Sequence, residues 1–272
     1  MNDLHTPDTL TPHVLQRGGC PLHYWTGGTA VRPLVVLLHG ATMDHRMFNA
    51  QVAALLPHYR VLVWDAPGHG RSRPLGAQFT LESCARDLLA VLDAEGVETA
   101  VIAGHSFGGY IAQTVYRLAP ARVRALVIIG ATSIAEAYSR FEIAALKFSL
   151  RLFRIWPYGN LLNTIGRGTA VTPAAQAYAR HAAGQIPKAD FLTIWRAVTL
   201  AIDSRGRPDA RIAVPLLLLH GDGDSRGTIR RDMPRWAAAA PHAVYHVIPS
   251  AGHNANQDNP EFTNRVLLDF LP

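Results

Sequence analysis

One serine in the chain lies in a setting that suits a nucleophile. Ser106 is the centre of Gly104-His105-Ser106-Phe107-Gly108-Gly109, which follows the pattern G-x-S-x-G. A short apolar run precedes this pattern and a helix-like stretch follows it. We therefore predict that Ser106 lies on a sharp turn between a buried strand and a helix. Such a turn strains the serine backbone, and the small residues two before and two after it let strand and helix pass closely.

Two other groups of residues are able to activate this serine. A serine hydroxyl is a weak nucleophile at neutral pH, so it needs a base, and the base needs a carboxylate that orients it. Asp222 and Asp224 follow the apolar run Val214–Leu219, and His253 lies in the loop after the last apolar run. Their order along the chain is Ser, Asp, His, and a serine with a base and an orienting carboxylate is the set of groups that acyl transfer through a serine needs. These residues alone leave open which aspartate takes part.

The elements that must position these side chains are visible as short apolar runs that end in glycine or in a polar turn, as buried parallel strands do. We predict eight strands, which are Val14–Arg17, Leu22–Trp25, Leu34–Leu38, Val61–Trp64, Ala100–Ala103, Val123–Ile129, Val214–Leu219 and Ala243–Ile248. Helix-like stretches alternate with them, near residues 46–56, 80–94, 107–118, 229–240 and 259–270. This alternation predicts an α/β fold, with a mostly parallel eight-stranded sheet and helices on both faces.

A long interval separates the sixth predicted strand from the seventh. Residues 134–207 far exceed an ordinary loop and carry helical patterning. Prolines divide this interval, at positions Pro157, Pro173, Pro187 and Pro208. We predict an inserted helical cap over 134–207, with about three or four helices, and a core formed by residues 1–133 and 208–272.

Part of the predicted cap has two chemically different faces. Between residues 141 and 156, apolar side chains recur at helical intervals, whereas Lys147, Arg151 and Arg154 fall on another face. We predict that the apolar side closes a substrate pocket, with Phe141, Phe148 and Trp156 as lining residues, and that the cations face water. The alternative interpretation is that the basic face attracts a membrane surface or an anionic substrate.

Composition and charge exclude several classes of protein. The chain has 272 residues, of which 49% are hydrophobic and 17% charged, so it is neither disordered nor fibrous. The whole net charge of +6 lies in residues 134–207, which hold ten Arg or Lys and four Asp or Glu. Only Lys147 and Lys188 are lysines, so no lysine-rich arm for nucleic acid is present, and we predict no nucleic-acid partner.

Patterns that are missing from the sequence predict the cellular location of the protein, the state of its cysteines and whether it uses a cofactor. No uncharged apolar run reaches the roughly 18 residues of a membrane span, and Met1–Leu10 lacks the pattern of a signal peptide. We therefore expect a cytoplasmic protein. Cys20 and Cys84 are the only cysteines, and we expect both to be free thiols. Neither H-E-x-x-H nor G-x-G-x-x-G occurs, so we expect no metal and no cofactor.

Four separated motifs together resemble the α/β-hydrolase superfamily over nearly the whole chain. They are Leu38-His39-Gly40, the segment Asp65-Ala66-Pro67-Gly68-His69-Gly70-Arg71-Ser72, the turn around Ser106, and Gly221-Asp222-Gly223-Asp224 with Gly252-His253. The resemblance implies that Ser106 is the nucleophile and His253 the general base. It also implies Asp224 as the residue that orients the base, because the family's acid usually stands three residues past the glycine, here Gly221. Asp222 is the alternative.

The resemblance also implies how the site holds negative charge on the substrate oxygen. Two backbone amides would donate to it, those of Phe107 and Ala41. The loop after the third strand reads His-Gly-Ala-Thr rather than His-Gly-Gly-Gly, so esters of bulky tertiary alcohols are less expected. The family uses the positions of His39 and His105 for loop packing, although His39 is also a candidate pocket residue. Asp65 is expected to bind the backbone amides of the turn around His69.

The leading functional hypothesis is a carboxylesterase that forms an acyl-enzyme on Ser106. Its substrate would be a small-molecule ester with a mainly apolar acyl group. Within the same fold the alternatives are cleavage of lactones, thioesters or carbon–carbon bonds, and cofactor-free haloperoxidase or perhydrolase chemistry. Dehalogenases and epoxide hydrolases of this fold use an aspartate nucleophile, so Ser106 argues against both. A non-catalytic binding module is the last alternative.

Overall fold

A computed structural model describes residues 5–202 and 205–272. Within these residues one sheet of eight strands has the order β1-β2-β4-β3-β5-β6-β7-β8. The strands are β1 Thr11–Arg17, β2 Cys20–Gly27, β3 Leu34–Leu38, β4 Arg60–Trp64, β5 Ala100–His105, β6 Val123–Ile129, β7 Leu216–Gly221 and β8 Ala243–Ile248. The β1–β2 and β2–β4 pairs are antiparallel, and the other neighbouring pairs are parallel. The predicted α/β fold is confirmed.

The burial of each strand follows its place in the sheet. Every residue of β3, β5 and β7 is buried, which is why these strands read as unbroken apolar runs in the sequence. The edge strand β1 alternates between exposed and half-buried residues instead. The seventh strand begins at Leu216 and not at Val214, because Pro215 has no N–H group for the ladder.

Helices cover both faces of the sheet. The described helices are α1 Asn49–Leu55, α2 Leu81–Ala94, α3 Phe107–Leu118, α4 Arg140–Ile155, α5 Tyr158–Thr169, α6 Pro173–Gly184, α7 Lys188–Thr199, α8 Ile229–Ala239, α9 Ala255–Asp258 and α10 Pro260–Phe270. Alternate residues of β3 belong to two separate apolar clusters. Val36 lies in one of them and Val35 in the other. The cluster of Val36 holds residues of α2, α3 and α8, and that of Val35 holds residues of α1 and α10.

The helices α4–α7 all lie between β6 and β7, inside the interval predicted as a cap, and we call them the cap helices. A small apolar cluster of Leu161, Ile186, Phe191 and Ile194 joins α5 to α7, and Phe153 of α4 packs against it. Helix α6 also packs on the core, because Tyr178 belongs to the same cluster as the β3 residue Val35.

The structure describes the state of the two cysteines and the character of the helices. Cys20 and Cys84 are both buried and free, as predicted. Among the helices of the described ranges, none combines the length and the apolar character needed to cross a membrane.

Candidate active site

Ser106 occupies the turn between β5 and α3. Strand β5 ends at His105 and α3 begins at Phe107, so one residue makes the whole connection. Ser106 has φ 49° and ψ −112°, a conformation that side-chain-bearing residues rarely adopt. Such backbone strain is typical of functional residues that a rigid framework holds in place. The strand, turn and helix predicted around Ser106 are all present.

Glycines on either side of Ser106 make this turn sterically feasible. A Cβ atom on Gly104 would lie 2.3 Å from the carbonyl oxygen of Gly108. A Cβ atom on Gly108 would lie 2.1 Å from the carbonyl oxygen of Leu38 in β3. Both distances are far below van der Waals contact, and backbone atoms cannot move aside as a flexible side chain can. The spacing G-x-S-x-G is therefore a requirement of the close passage of β3, β5 and α3.

His253 and Asp224 form a buried pair. The Nδ1 atom of His253 lies 2.9 Å from Oδ2 of Asp224, and both side chains are buried. The other carboxylate oxygen of Asp224 accepts a hydrogen bond from the Arg226 amide at 2.9 Å. Burial opposes ionisation of Asp224, but the interaction with His253 and these hydrogen bonds outweigh it, so the pKa of this carboxyl lies below its ordinary value. The pair is thus arranged to hold a negative charge beside Nδ1.

Asp222 does not contact His253 and has a different task. Its carboxylate accepts hydrogen bonds from the amides of Ser250 and Ala251, at 2.9 and 3.0 Å. These bonds lower the pKa of Asp222. The same bonds fix the loop that leads to His253, so Asp222 supports the shape of that loop while Asp224 meets the ring.

Two residues that sequence reasoning did not assign to the site shape the surroundings of His253. Gly130 follows β6 with φ 59°, and a Cβ atom there would lie 3.3 Å from both Cε1 and Nδ1 of the ring. A glycine directly at the end of a central strand was the available signal for it. The second residue is His105, whose Nε2 lies 2.8 Å from the His253 carbonyl oxygen. Burial lowers the pKa of His105 to about 3, so the neutral ring donates this bond.

The two amides expected to stabilise an oxyanion are those of Phe107, which follows Ser106 in the chain, and of Ala41. Phe107 is the first residue of α3, where amides have no acceptor within the helix. Ala41 follows β3 and lines the same cavity as Ser106. Among the described residues, no acceptor engages the amide of Phe107 or that of Ala41. Both groups are therefore available to an external oxygen.

One cavity of about 250 Å³ joins these groups. Ser106 and His253 both line it, and its wall is mainly apolar, with side chains from the cap helices that include Leu146, Phe153, Leu161, Phe191 and Trp195. Two charged side chains also reach it. Glu142 pairs with Arg231, and Arg226 donates from Nε to the carbonyl oxygen of Gly168 at 2.8 Å.

The predicted pocket residues need correction. Phe141, Phe148 and Trp156 do not line this cavity and are 81%, 54% and 36% exposed. The reason is the rotation of α4, which turns Leu146 and Phe153 inward and leaves the other apolar side chains outside. Hydrophobic periodicity identifies the apolar side of a helix but not whether that side faces the cavity or the solvent.

His39 does not line the cavity either, because it is used inside the protein. Its buried ring bridges two loops, accepting a hydrogen bond from the Ala66 amide at Nε2 and contacting the Gly40 carbonyl oxygen through Nδ1. Burial lowers its pKa, which favours this neutral form. Asp65 accepts a hydrogen bond from the Arg71 amide, as expected for the turn around His69, and also binds the His45 amide and ring.

The structure also brings together three groups with metal-binding chemistry, although they do not line the cavity. Ligand atoms of Asp44, His45 and Asp65 lie within 4.8 Å of one another. Each already has a protein partner. Asp44 pairs with Arg46, and the His45 ring contacts Asp65. This cluster is explained by its internal ion pairs and hydrogen bonds.

Comparison with known proteins gives one family and several relatives. A model of the family described as alpha/beta hydrolase fold matches residues 33–260. A pimeloyl-[acyl-carrier protein] methyl ester esterase from Pectobacterium atrosepticum is 28% identical, over 90% of this chain and 96% of that protein. A 2-hydroxy-6-oxononadienedioate/2-hydroxy-6-oxononatrienedioate hydrolase from Dechloromonas aromatica is 27% identical, over 92% of this chain and 90% of that protein.

A solved structure shares the fold. A hydrolase from Pseudomonas aeruginosa PA01 superimposes with a TM-score of 0.83 at 24% identity, and the match covers 97% of this chain and 99% of that one.

Proposed function

The chain belongs to the α/β-hydrolase family, and from that premise we propose that it is a serine hydrolase that cleaves carboxylic esters through an acyl-enzyme. One observation carries this proposal. Ser106, on its strained turn, and His253, bound to Asp224 through Nδ1, line the same cavity. This arrangement supports Ser106 as nucleophile, His253 as base and Asp224 as the orienting acid, the three groups that acyl transfer through a serine needs.

In the first half of the reaction, Ser106 Oγ attacks the ester carbonyl and its proton passes to Nε2 of His253. Asp224 holds the Nδ1–H and stabilises the imidazolium that forms, while remaining ionised itself. The lowered pKa of Asp224 supports this role, because a carboxylate that stays charged in a buried site favours the protonated ring. His253 then gives the proton to the departing alkoxide, and the alcohol leaves.

Negative charge on the carbonyl oxygen meets the amides of Phe107 and Ala41. These donors are fixed by α3 and by the turn after β3, so they need no reorganisation when the charge develops. In the second half of the reaction, His253 takes a proton from water as the water oxygen attacks the acyl carbon. The bond from this carbon to Ser106 Oγ then breaks, His253 returns the proton to Oγ, and the carboxylic acid leaves. These steps use only groups of the chain and water.

The cavity supports an apolar acyl group of limited length. A volume of about 250 Å³ lies just below the roughly 300–1,000 Å³ of typical small-molecule sites. The aromatic and aliphatic side chains of its wall favour hydrocarbon over polar groups. We therefore propose short- to medium-chain acyl esters as the substrate class.

Other chemistries of the family use nearly the same residues. Lactones and thioesters pass through the same acyl-enzyme, and carbon–carbon hydrolysis and perhydrolysis use a similar frame. One relative is named as a methyl ester esterase and another as a hydrolase of 2-hydroxy-6-oxononadienedioate, so the names of the relatives do not select one substrate class. Ester cleavage is preferred because the wall around Ser106 is mainly apolar. A dienedioate carries two carboxylates that need cationic partners, and among the described lining residues Arg226 is the one arginine or lysine.

Hydrolysis of p-nitrophenyl esters from acetate to palmitate tests the proposal. We expect an optimum at a short or medium chain length, and loss of activity by at least about 10³-fold in Ser106→Ala and His253→Ala. Ser225→Ala and His58→Ala are matched controls, since both side chains are exposed and outside the cavity, and both should retain activity.

Two other outcomes would redirect the proposal. If the wild type is inactive on all these esters but Ser106 is labelled by a fluorophosphonate, the substrate is narrower, such as a lactone or a carbon–carbon bond. If no labelling occurs, the chain is better explained as a binding module.

A further inference from the structure

The outward face of α4 is apolar. Phe141, Phe148 and Ile155 are 81%, 54% and 79% exposed, and Leu152 and Trp156 beside them are 40% and 36% exposed. Their spacing of three, four or seven residues places them along one side of the helix. No residue of α4 is fully buried. Exposed apolar side chains grouped in this way on one side of a helix mark an interaction site.

A row of cations borders this apolar face. Arg140, Lys147, Arg151 and Arg154 are exposed, and the last three line an open groove between α4 and α7, into which Arg196 also projects. In residues 5–202 and 205–272, no carboxylate forms an ion pair with any of these five. The one acid of α4, Glu142, lies on the inner side and pairs with Arg231 of α8. The exposed half of α4 thus carries positive charge only.

We propose that the outer face of α4 docks on the surface of an anionic phospholipid bilayer. An amphipathic helix with aromatic and aliphatic residues on one side and cations beside them lies in the plane of such an interface. There the apolar side chains enter the region between headgroups and acyl chains, and the cations meet lipid phosphates. The basic residues select an anionic lipid surface over a neutral one.

A second copy of the chain fits this face less well. Pairing two α4 helices through their apolar sides would bring two rows of cations together. The exposed part of α4 has no acid to compensate them.

Docking would also bring the cavity close to the lipid. The inner side of α4 contributes Leu146 and Phe153 to the wall of the cavity that holds Ser106. One helix therefore separates the proposed bilayer surface from the reaction site. The docking is independent of the proposed ester chemistry, since the residues of the outer face do not line the cavity.

Vesicle flotation with the full chain tests the proposal. We expect the protein to float with vesicles that contain phosphatidylglycerol and phosphatidylcholine, and not with vesicles of phosphatidylcholine alone. Raising the salt from about 0.1 to 0.5 M should weaken the binding, because screening shortens the reach of the cations. Absence of flotation with anionic vesicles at low salt would overturn the proposal.

Variants separate insertion from simple charge attraction. Phe148→Ser with Ile155→Ser, and separately Arg151→Glu with Arg154→Glu, should each weaken vesicle binding by at least about tenfold. Control variants are Val31→Ser, which is 95% exposed, and Arg124→Glu, which is exposed and outside α4. Both controls should bind as the wild type does. All variants should keep the far-UV circular dichroism spectrum and the thermal unfolding midpoint of the wild type, which shows that they are folded.

Two results would contradict docking by insertion. If only the charge variants lose binding, the apolar residues do not insert, and the surface is merely electrostatic. If the chain sediments as a dimer that the Phe148 and Ile155 substitutions dissociate, the face is covered by a second copy instead.

Discussion

Asp222 and Asp224 stand two residues apart and differ completely in what they touch. Asp224 is buried against the ring of His253, whereas Asp222 is exposed and binds two backbone amides of the neighbouring loop. The sequence places both after the same strand, so residue type alone does not distinguish them. Family spacing favours Asp224, and the contacts of the two carboxylates support the same assignment.

The different contacts of the two aspartates predict different effects of the same substitution, aspartate to asparagine. Asp224→Asn should lower kcat on an ester by about 10³- to 10⁴-fold, because an amide cannot stabilise the imidazolium and favours the wrong tautomer. Asp222→Asn should keep activity within a few-fold but lower the unfolding free energy by about 1 kcal/mol, since it weakens two hydrogen bonds to a charged acceptor.

Steady-state kinetics and urea unfolding of both variants measure these effects. A full loss of activity in Asp222→Asn, with Asp224→Asn near normal, would reverse the assignment.

At the scale of elements, the site depends on how closely β3, β5 and α3 approach one another. Gly104 and Gly108 leave no room for a methyl group, and the atoms that would clash are backbone carbonyl oxygens. The sequence predicts this crossing correctly, because a glycine pattern between an apolar run and a helical stretch carries its own steric meaning.

Gly108→Ala should therefore be strongly damaging. The added Cβ would lie 2.1 Å from the Leu38 carbonyl oxygen, so β3 or α3 must shift. We expect destabilisation of about 3 kcal/mol or more, together with loss of activity. Gly159→Ala is the matched control. That glycine is helical, and no neighbouring atom lies within 4 Å of the place an added methyl group would take, so alanine should be neutral or stabilising by up to about 1 kcal/mol.

Thermal unfolding and ester hydrolysis report both quantities. An active, stable Gly108→Ala protein would contradict the proposed steric role of this glycine.

The direction in which α4 faces could not be predicted from the sequence. The helical period of α4 is predicted correctly, but Phe141, Phe148 and Trp156 face outward instead of into the pocket. Both sides of α4 offer apolar residues, and only tertiary packing against α7 selects the side that carries Leu146 and Phe153. The local sequence does not determine which side of α4 faces the cavity, so the residues that line the pocket could not be predicted from it.

For the molecule as a whole, a buried contact between Tyr178 and Asp44 holds the cap helices to the core, and we call it the joint. The Tyr178 hydroxyl of α6 lies 3.1 Å from the backbone N, backbone O and Oδ1 of Asp44, which follows β3. Arg46 pairs with the same carboxylate. Tyr178 and Asp44 lie 134 positions apart in the chain, and no sequence motif connects them. The joint could therefore be found only in the three-dimensional structure.

This joint predicts a pH-dependent contribution to stability. Burial opposes ionisation of Asp44, but Arg46 and His45 outweigh it and hold its pKa at about 2, against an ordinary value of 3.8. A lowered pKa stabilises the fold at pH above the ordinary value, and this stabilisation is lost as the pH falls through about 2. The shift corresponds to about 2 kcal/mol.

Urea unfolding of the wild type and Asp44→Asn between pH 7 and pH 3 checks this expectation. The stability difference should be constant above about pH 5 and shrink toward lower pH, because asparagine does not titrate. Asp209→Asn, at an exposed pair with Arg117, is the control and should change stability by less than about 0.5 kcal/mol. A difference that does not change with pH would contradict the role of the charge.

The central claim is that Ser106 carries an acyl group during turnover. The most direct measurement is peptide mass mapping of the protein quenched in acid within milliseconds of mixing with a p-nitrophenyl ester. We predict an acyl adduct on the peptide that contains Ser106, together with a burst of nitrophenol of one equivalent or less. Neither should occur in Ser106→Ala. Hydrolysis without any adduct, or an adduct on another residue that persists in Ser106→Ala, would contradict the claim.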